Sequence, residues 1–322
     1  MRLTKTLMAG AAMLVATSGA AFAEKWDMPL AYAASNYHSE NAAAFAKCVT
    51  DSGNDLEIVT HPGGSLFKGG EIKRAVQTGQ APIGERLMSA HANENPLFGV
   101  DSVPFVATSF DDSEKLWAAA KDKMSEALDE QNLVYVYAVP WPPQGLYFKK
   151  PIESVADMKG IKFRAYNAAT SRIAELAGMV PVQIEAAELS QALATGVAES
   201  FISSGSTGYD RKVWEHLTHF YDVQAWLPRN TVFVNKEAHA ALSDGAKQAI
   251  ADCGATAAAD GLAKAKELTD FYIKGLAEGG METLPPGDAL KAELTVFGET
   301  MANEWLEAAG DSGKAIMDAY SQ

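Results

Sequence analysis

Residues 150–164 read KPIESVADMKGIKFR, and a regular alternation of strand and helix patterns begins in this stretch. The stretch ends in the strand pattern Gly160 to Ala165, and the pattern of a helix follows from Ala168 to Ala177. A short extended segment, Val180 to Ile184, and a second helix, Ala187 to Ala194, come next. This alternation of strand and helix indicates an α/β fold in which helices cover a sheet.

The segment just before this stretch is Pro140 to Gly145, PWPPQG. Its three prolines remove hydrogen-bond donors and fix φ, so the apolar strand Leu133 to Val139 cannot continue through it. We expect a crossover or hinge here. Because strands and helices also alternate earlier, from Asp27 onward, two similar α/β lobes are the simplest interpretation.

The last part of the chain predicts a return to the first lobe. Thr231 to Asn235 has the pattern of the returning strand. Asp244 to Ala277 predicts a long Ala-rich helix, with Gly254 and Gly261 as interruptions in its interior. A helix of this length can brace both lobes, which therefore share the chain by crossing back and forth.

The first 23 residues have the three-part pattern of a secretory signal peptide. Arg2 and Lys5 precede the weakly apolar run Leu7 to Ala20, and AFA at 21–23 supplies a cleavage site. The alternative, an uncleaved membrane anchor, is disfavoured by the small residues of the run. We expect a periplasmic chain that is not embedded in a membrane after cleavage. The predicted segments are 1–23 for the signal peptide, 24–146 plus 231–275 for lobe I, and 147–230 plus 276–322 for lobe II.

The chain is strongly acidic, with a formal net charge of −14. Loss of Arg2 and Lys5 with the signal peptide turns this charge into −16. Such a surface argues against nucleic acid as a partner. It also repels anions, so an anionic ligand needs a local positive group inside a shielded cleft.

Two cysteines, Cys48 and Cys253, lie far apart in the sequence. In an exported chain this even number permits one disulfide bond. Two free buried thiols are the alternative. A metal site is disfavoured because neither cysteine has a nearby Cys or His at a ligand spacing, and we expect no metal and no cofactor.

The stretch from Lys150 to Arg164 resembles the signature of the substrate-binding proteins of TRAP (tripartite ATP-independent periplasmic) transporters, the DctP-like family. In that family a Pro-Ile turn precedes D-L-K-G-L-K-I-R, and this sequence has Pro151-Ile152 and then DMKGIKFR. The other segments that fit the family, in order, are Pro62 to Leu66, Asp101 to Phe105, Gly178, Pro181, Glu188, Ala192 to Val197 and Val234 to Lys236. The resemblance covers nearly the whole chain after residue 23.

This resemblance implies a two-lobe periplasmic binding protein fold that encloses its ligand between the lobes. It implies a receptor that is not an enzyme, binds a small organic anion, most often a carboxylate, and delivers it to TRAP membrane subunits. It also implies that the arginine ending the K-I-R strand, here Arg164, contacts the ligand.

The position and the chemistry of Arg164 agree with this role. Ligands of open α/β sheets lie at the carboxyl ends of strands, and Arg164 stands near such an end, just before a helix. Its planar guanidinium matches a carboxylate with two parallel hydrogen bonds, and amides at the helix N-terminus add partial positive charge. A surface or interlobe ion pair is the alternative role for this residue.

The chain departs from the family pattern at two positions. Many members carry a second arginine where this sequence has Gln144-Gly145-Leu146-Tyr147-Phe148, and Ser203 replaces an Asn that contacts the ligand in the family. A single arginine contact to the anion, from Arg164, is therefore expected. The shorter side chain of Ser203 offers a hydroxyl in place of the Asn amide. Both departures disfavour dicarboxylates and sialic acid and favour a monocarboxylate or a similar small anion.

Three further candidates lie at strand exits or in the Pro-rich segment. Trp141 and Gln144 are suited to form a planar wall and a neutral polar contact. Trp141 equally suits hinge packing. Tyr37 is a candidate because it follows the first strand and precedes the first helix.

The last three candidates each have a structural alternative. Glu71 stands at a family contact position, yet a Glu in the first turn of a helix also interacts favourably with its dipole. Glu85 follows a predicted strand end and is a ligand contact if it faces the cleft, and otherwise an ion-pair partner. Trp226 either covers the ligand or belongs to the interlobe core.

Two other functions fit parts of the pattern. A periplasmic enzyme is disfavoured because the six histidines form no HExxH motif and no GxSxG or phosphate-loop signature occurs. A binding protein of an ABC transporter or a sensor kinase has the same type of fold. The order of the motifs favours the TRAP family.

Overall fold

A computed structural model describes residues 24–322 of the chain. The predicted signal peptide, residues 1–23, lies outside the described residues. Strands and helices alternate through the described part, as the sequence pattern predicts. Between residues 24 and 322, every helix is too short or too polar to span a bilayer.

The secondary structure of residues 24–322 comprises the following elements. The strands are β1 (Glu24–Pro29), β2 (Leu56–His61), β3 (Ile83–Leu87), β4 (Leu133–Pro140), β5 (Gln144–Phe148), β6 (Lys162–Ala165), β7 (Val180–Gln183), β8 (Ser200–Ser204), β9 (His219–Tyr221), β10 (Arg229–Asn235) and β11 (Glu282–Leu284). The helices are α1 (Tyr37–Asp51), α2 (Ile72–Gln77), α3 (Phe110–Asp129), α4 (Ala168–Leu176), α5 (Leu189–Ala194), α6 (Gly205–Asp210), α7 (Lys236–Ala241), α8 (Asp244–Glu278) and α9 (Asp288–Tyr320).

The strands assemble into two groups, one for each lobe. In the first group, β1 pairs with β2 in parallel, and β10 pairs with β3 and β4 in antiparallel fashion. A bridge between Leu30 and Glu85 joins these two sheets. The second group is a mixed six-stranded sheet in the order β11-β9-β5-β8-β6-β7. The predicted two-lobe α/β fold is confirmed.

The chain crosses between the two groups three times. β4 ends at Pro140 and β5 begins at Gln144, so the prolines separate the two strands as predicted. β10 returns the chain to the first group, and β11 rejoins the second group after α8. The division into lobes at 146/147, 230/231 and 275/276 remains a proposal, which crossings near these positions support.

The long helix α8 is continuous and reaches both lobes, because it packs on α1 and β4 of the first lobe and on α6 and β11 of the second. Two of its glycines, Gly254 and Gly261, allow close approach to β4. A Cβ atom at Gly261 would lie 2.5 Å from Cγ2 of Val139, and one at Gly254 would lie 2.9 Å from Cγ1 of Val136. The glycines that lower the helix propensity of this segment therefore let the helix brace the sheet.

Cys48 on α1 and Cys253 on α8 form a disulfide bond, with a Cα–Cα distance of 5.9 Å. Cys253 is buried, whereas Cys48 is exposed to solvent. The bond therefore fastens the bracing helix to the first lobe. Of the two alternatives left by the sequence, the structure shows the bonded one.

Reduction of this disulfide is expected to lower the free energy of unfolding by about 2–5 kcal/mol. The bond joins residues 205 positions apart and so reduces the conformational entropy of the unfolded chain. Urea unfolding with and without dithiothreitol measures the loss. The variant Cys48→Ser/Cys253→Ser is the matched control, since reductant should leave its midpoint unchanged. An equal midpoint for oxidised and reduced wild type would contradict the expectation.

Candidate ligand-binding site

A cavity lies between the two lobes, beside the Pro-rich crossover. The parallel strands β6, β7 and β8 all direct their carboxyl ends toward it, which is the usual position of ligands in open α/β sheets. Its lining residues are Tyr32, Arg86 and Leu87 from the first lobe, Trp141, Gln144 and Pro228 from the crossovers, and Arg164, Tyr166, Glu185, Ala186, Ser203 and Thr207 from the second lobe.

Arg164 carries a buried positive charge in this cavity. Its side chain is 3% exposed, its Nε donates to the backbone oxygen of Ile184 at 2.8 Å, and its guanidinium lies 5.0 Å from the ring centroid of Tyr166. Burial lowers the pKa of Arg164 to about 10, so the group stays charged at neutral pH. Within residues 24–322 no carboxylate forms an ion pair with it. The terminal nitrogens of its guanidinium therefore present a donor fork to a ligand.

A second arginine in the cavity is neutralised by a carboxylate from the opposite lobe. Nη1 and Nη2 of Arg86, on β3, donate to the two carboxylate oxygens of Glu185 at 3.1 and 2.8 Å. Gly69 lies against this pair, since a Cβ atom there would be 2.7 Å from Oε2 of Glu185. Two arginines and one glutamate leave the cavity lining with a single formal positive charge.

The side-chain amide of Gln144 is held by hydrogen bonds at both ends. Its Nε2 donates to the backbone oxygen of Pro142 at 3.0 Å, and its Oε1 accepts from the hydroxyl of Tyr166 at 2.9 Å. The indole Nε1 of Trp226 donates to the same hydroxyl at 3.2 Å. Three buried side chains therefore form one continuous hydrogen-bond chain that ends in the cavity.

The remaining walls combine aromatic rings with hydroxyl groups. Trp141 packs edge-on against Tyr32, with ring centroids 4.8 Å apart, and its Nε1 donates to Oδ1 of Asn230 at 2.8 Å. The hydroxyl of Ser203 donates to Oγ1 of Thr207 at 2.9 Å. Burial raises the pKa of Tyr32 to about 12, so its hydroxyl is neutral. These groups offer uncharged hydrogen bonds rather than further charge.

Four of the residues predicted from the sequence meet in this cavity, namely Arg164, Gln144, Trp141 and Ser203.

The other four predicted residues lie outside the lining. Tyr37 supports the cavity from behind: its hydroxyl donates to the oxygen of Pro140 at 2.7 Å, and its ring packs edge-on against the ring of Trp141. Trp226 lies behind Tyr166. Oε1 of Glu85 lies 3.4 Å from Nδ1 of His38. Glu71 is exposed in the first turn of a short helical segment, and its Oε2 accepts a hydrogen bond from the backbone nitrogen of Lys68 at 3.0 Å.

Several lining residues, among them Tyr166, Arg86 and Glu185, are not predicted from the sequence. Strand alternation could have predicted Tyr166 as a lining residue. It lies two residues after Arg164, and side chains two residues apart in extended backbone point to the same side. The same rule separates Arg86, which lines the cavity, from its neighbour Glu85, which does not. Glu185 follows the carboxyl end of β7, and its pairing with Arg86 depends on how the lobes meet.

Comparison with known proteins identifies the family to which this chain belongs. The model of the bacterial extracellular solute-binding proteins, family 7 (DctP), matches residues 31–310. The chain belongs to this family. The resemblance found in residues 150–164 is thereby confirmed, and family 7 proteins are solute receptors.

Three solved structures of this kind are similar to this family 7 protein over nearly its full length. A TRAP solute-binding protein from a marine metagenome, specific for pyroglutamate, is 59% identical over 93% of this chain and 99% of its own, with a TM-score of 0.92. The Bordetella pertussis receptors DctP6 and DctP7, both described as binding pyroglutamic acid, are 47% and 42% identical, with TM-scores of 0.91 and 0.92. They cover 92% and 93% of this chain, and the matches span 99% and 100% of their own chains.

Glu185→Gln is expected to favour an open arrangement of the lobes, because it leaves the buried charge of Arg86 without a carboxylate when the lobes are closed. Small-angle X-ray scattering of the protein freed of bound solute measures the change as a larger radius of gyration than that of the wild type. Glu188→Gln is the matched control, since Glu188 is exposed and close in sequence. Equal radii for the two variants would count against this role of the ion pair.

Proposed function

We propose that this chain is a periplasmic receptor that binds pyroglutamate and delivers it to the membrane subunits of a TRAP transporter. The observation that carries the proposal is the buried guanidinium of Arg164, which has no carboxylate partner within residues 24–322. Burying a charge without a partner is unfavourable, and a ligand carboxylate supplies the missing one. The pyroglutamate specificity of the receptor that is 59% identical supports this choice of anion.

The chemistry of pyroglutamate matches the remaining groups of the cavity. The ligand has one carboxylate and an uncharged lactam ring with one N–H donor and one carbonyl acceptor. A lining with a single formal positive charge suits one carboxylate, whereas a dicarboxylate leaves one negative charge unpaired. We assign Arg164 to the carboxylate, Gln144 and Ser203 to the polar groups of the lactam, and Trp141 to the face of the ring.

The lobe arrangement supports a receptor that releases its ligand by opening. We propose that the lobes close about the crossover Pro140 to Gly145 and the strand β10, and that the ligand stabilises the closed state through contacts that the open state lacks. Delivery then requires membrane subunits that bind the closed protein and open it. The family match supports these subunits as partners.

Arg164→Ala is expected to weaken the binding of L-pyroglutamate by at least about 30-fold, because truncating one partner of a buried charge pair costs roughly 2–5 kcal/mol. Isothermal titration calorimetry on protein freed of co-purified solute measures both dissociation constants. Arg172→Ala is the matched control on the adjacent helix α4, since Arg172 is exposed and pairs with Glu304.

A second ligand separates charge recognition from shape. 2-Pyrrolidinone has the lactam ring of pyroglutamate without its carboxylate, so we expect the wild type to bind it far more weakly. Unchanged affinity of Arg164→Ala for pyroglutamate would remove Arg164 from the site. Absence of pyroglutamate binding by the wild type would refute the proposed ligand while leaving the family assignment intact.

A further inference from the structure

We propose that Trp226 and Tyr166 are positioning residues that fix the orientation of the Gln144 side-chain amide, so that Gln144 presents an N–H donor to an uncharged carbonyl oxygen of the ligand. This inference rests on the proposed function, and it deepens that function by naming the residues that recognise the lactam carbonyl. It also gives Trp226 a role other than covering the ligand.

The hydrogen-bond chain has only one possible direction. An indole nitrogen donates and never accepts, so the Tyr166 hydroxyl must accept from Trp226. The hydroxyl has one hydrogen of its own, which points at the Gln144 side chain 2.9 Å away. Oε1 of Gln144 is the atom that accepts this hydrogen. The donor-only character of the indole is thus transmitted through Tyr166 to the amide.

The other end of the amide fixes the same orientation independently. The backbone oxygen of Pro142 lies 3.0 Å from Nε2 of Gln144, and a carbonyl oxygen only accepts. Rotating the amide by 180° would place two acceptors against each other at this contact. Nε2 therefore gives one hydrogen to Pro142, and its second hydrogen remains for the ligand.

Burial keeps solvent from changing this arrangement. The exposed fractions of Gln144, Tyr166 and Trp226 are 2%, 7% and 1%. Backbone bonds also hold the two segments together, since the nitrogen of Gln144 donates to the oxygen of Trp226 at 3.0 Å, and the nitrogen of Ala225 donates to the oxygen of Gln144 at 3.0 Å. The amide consequently has a fixed polarity before the ligand arrives, which lowers the entropic cost of binding.

The oriented Gln144 N–H should make the site selective for ligands that carry a carbonyl oxygen on the ring. A ligand with the same carboxylate and ring but no carbonyl leaves the Gln144 N–H without a partner in a buried site, which is unfavourable. L-Pyroglutamate has the carbonyl. 5-Oxotetrahydrofuran-2-carboxylate keeps the carbonyl and replaces the ring N–H by oxygen, and cyclopentanecarboxylate lacks both groups.

The test measures the dissociation constants of these three ligands for the wild type, Tyr166→Phe and Trp226→Phe. Tyr166→Phe keeps the ring beneath Arg164 and removes the hydroxyl. We expect it to weaken both carbonyl-containing ligands by about tenfold and Trp226→Phe to weaken them by about threefold, with cyclopentanecarboxylate unchanged. Because both changes act through one amide, the double variant should lose no more than Tyr166→Phe alone.

Trp305→Phe is the matched control, since its indole Nε1 also donates a hydrogen bond, to the oxygen of Pro96, on helix α9. It should leave all three dissociation constants at the wild-type values. Thermal unfolding of each variant shows that the protein is folded before titration, and each ligand is titrated into the millimolar range.

The outcomes separate this inference from the proposed function. Equal losses for all three ligands, or no loss for any, would mean that Trp226 and Tyr166 only support the fold, and would overturn the inference while pyroglutamate binding stands. Equal wild-type affinity for pyroglutamate and cyclopentanecarboxylate would overturn it as well. A wild type that binds no pyroglutamate overturns the proposed function, and this inference with it.

Discussion

The charge of Arg164 lies in the interior of the protein, and the rest of the cavity is arranged around it. Removing a guanidinium from water is unfavourable unless hydrogen bonds and opposite charge replace the solvent. The backbone oxygen of Ile184 and the ring of Tyr166 provide part of this replacement. In the proposed complex a ligand carboxylate provides the rest, so that closure of the lobes and binding of an anion stabilise each other.

The Arg86–Glu185 pair explains how a cavity with two arginines remains suited to one carboxylate. Glu185 comes from the second lobe and Arg86 from the first, so the pair forms only where the lobes meet. It removes one positive charge from the lining and at the same time joins the lobes. The net charge of the lining therefore depends on both lobes contributing to one cavity.

The backbone that connects the lobes also forms part of the site. Pro142 interrupts the passage from β4 to β5, and its carbonyl oxygen holds the amide of Gln144. Trp141 from the same segment forms a wall, and α8 braces the sheets on either side. A crossover that the prolines keep out of regular structure thus orients two of the groups that line the cavity.

The sequence alone predicts the alternation of strands and helices, the Pro-rich crossover, the returning strand and the position of Arg164 near a strand end. It does so because hydrophobic periodicity, proline and glycine act on neighbouring residues. Which side chains share the cavity depends on the tertiary structure. Arg86 and Glu185 lie 99 positions apart, and Trp226 and Tyr166 lie 60 apart. Likewise, Glu85 and Arg86 are neighbours in sequence, yet only Arg86 lines the site, because side-chain direction and partners depend on strand alternation, sheet pairing and the meeting of two lobes.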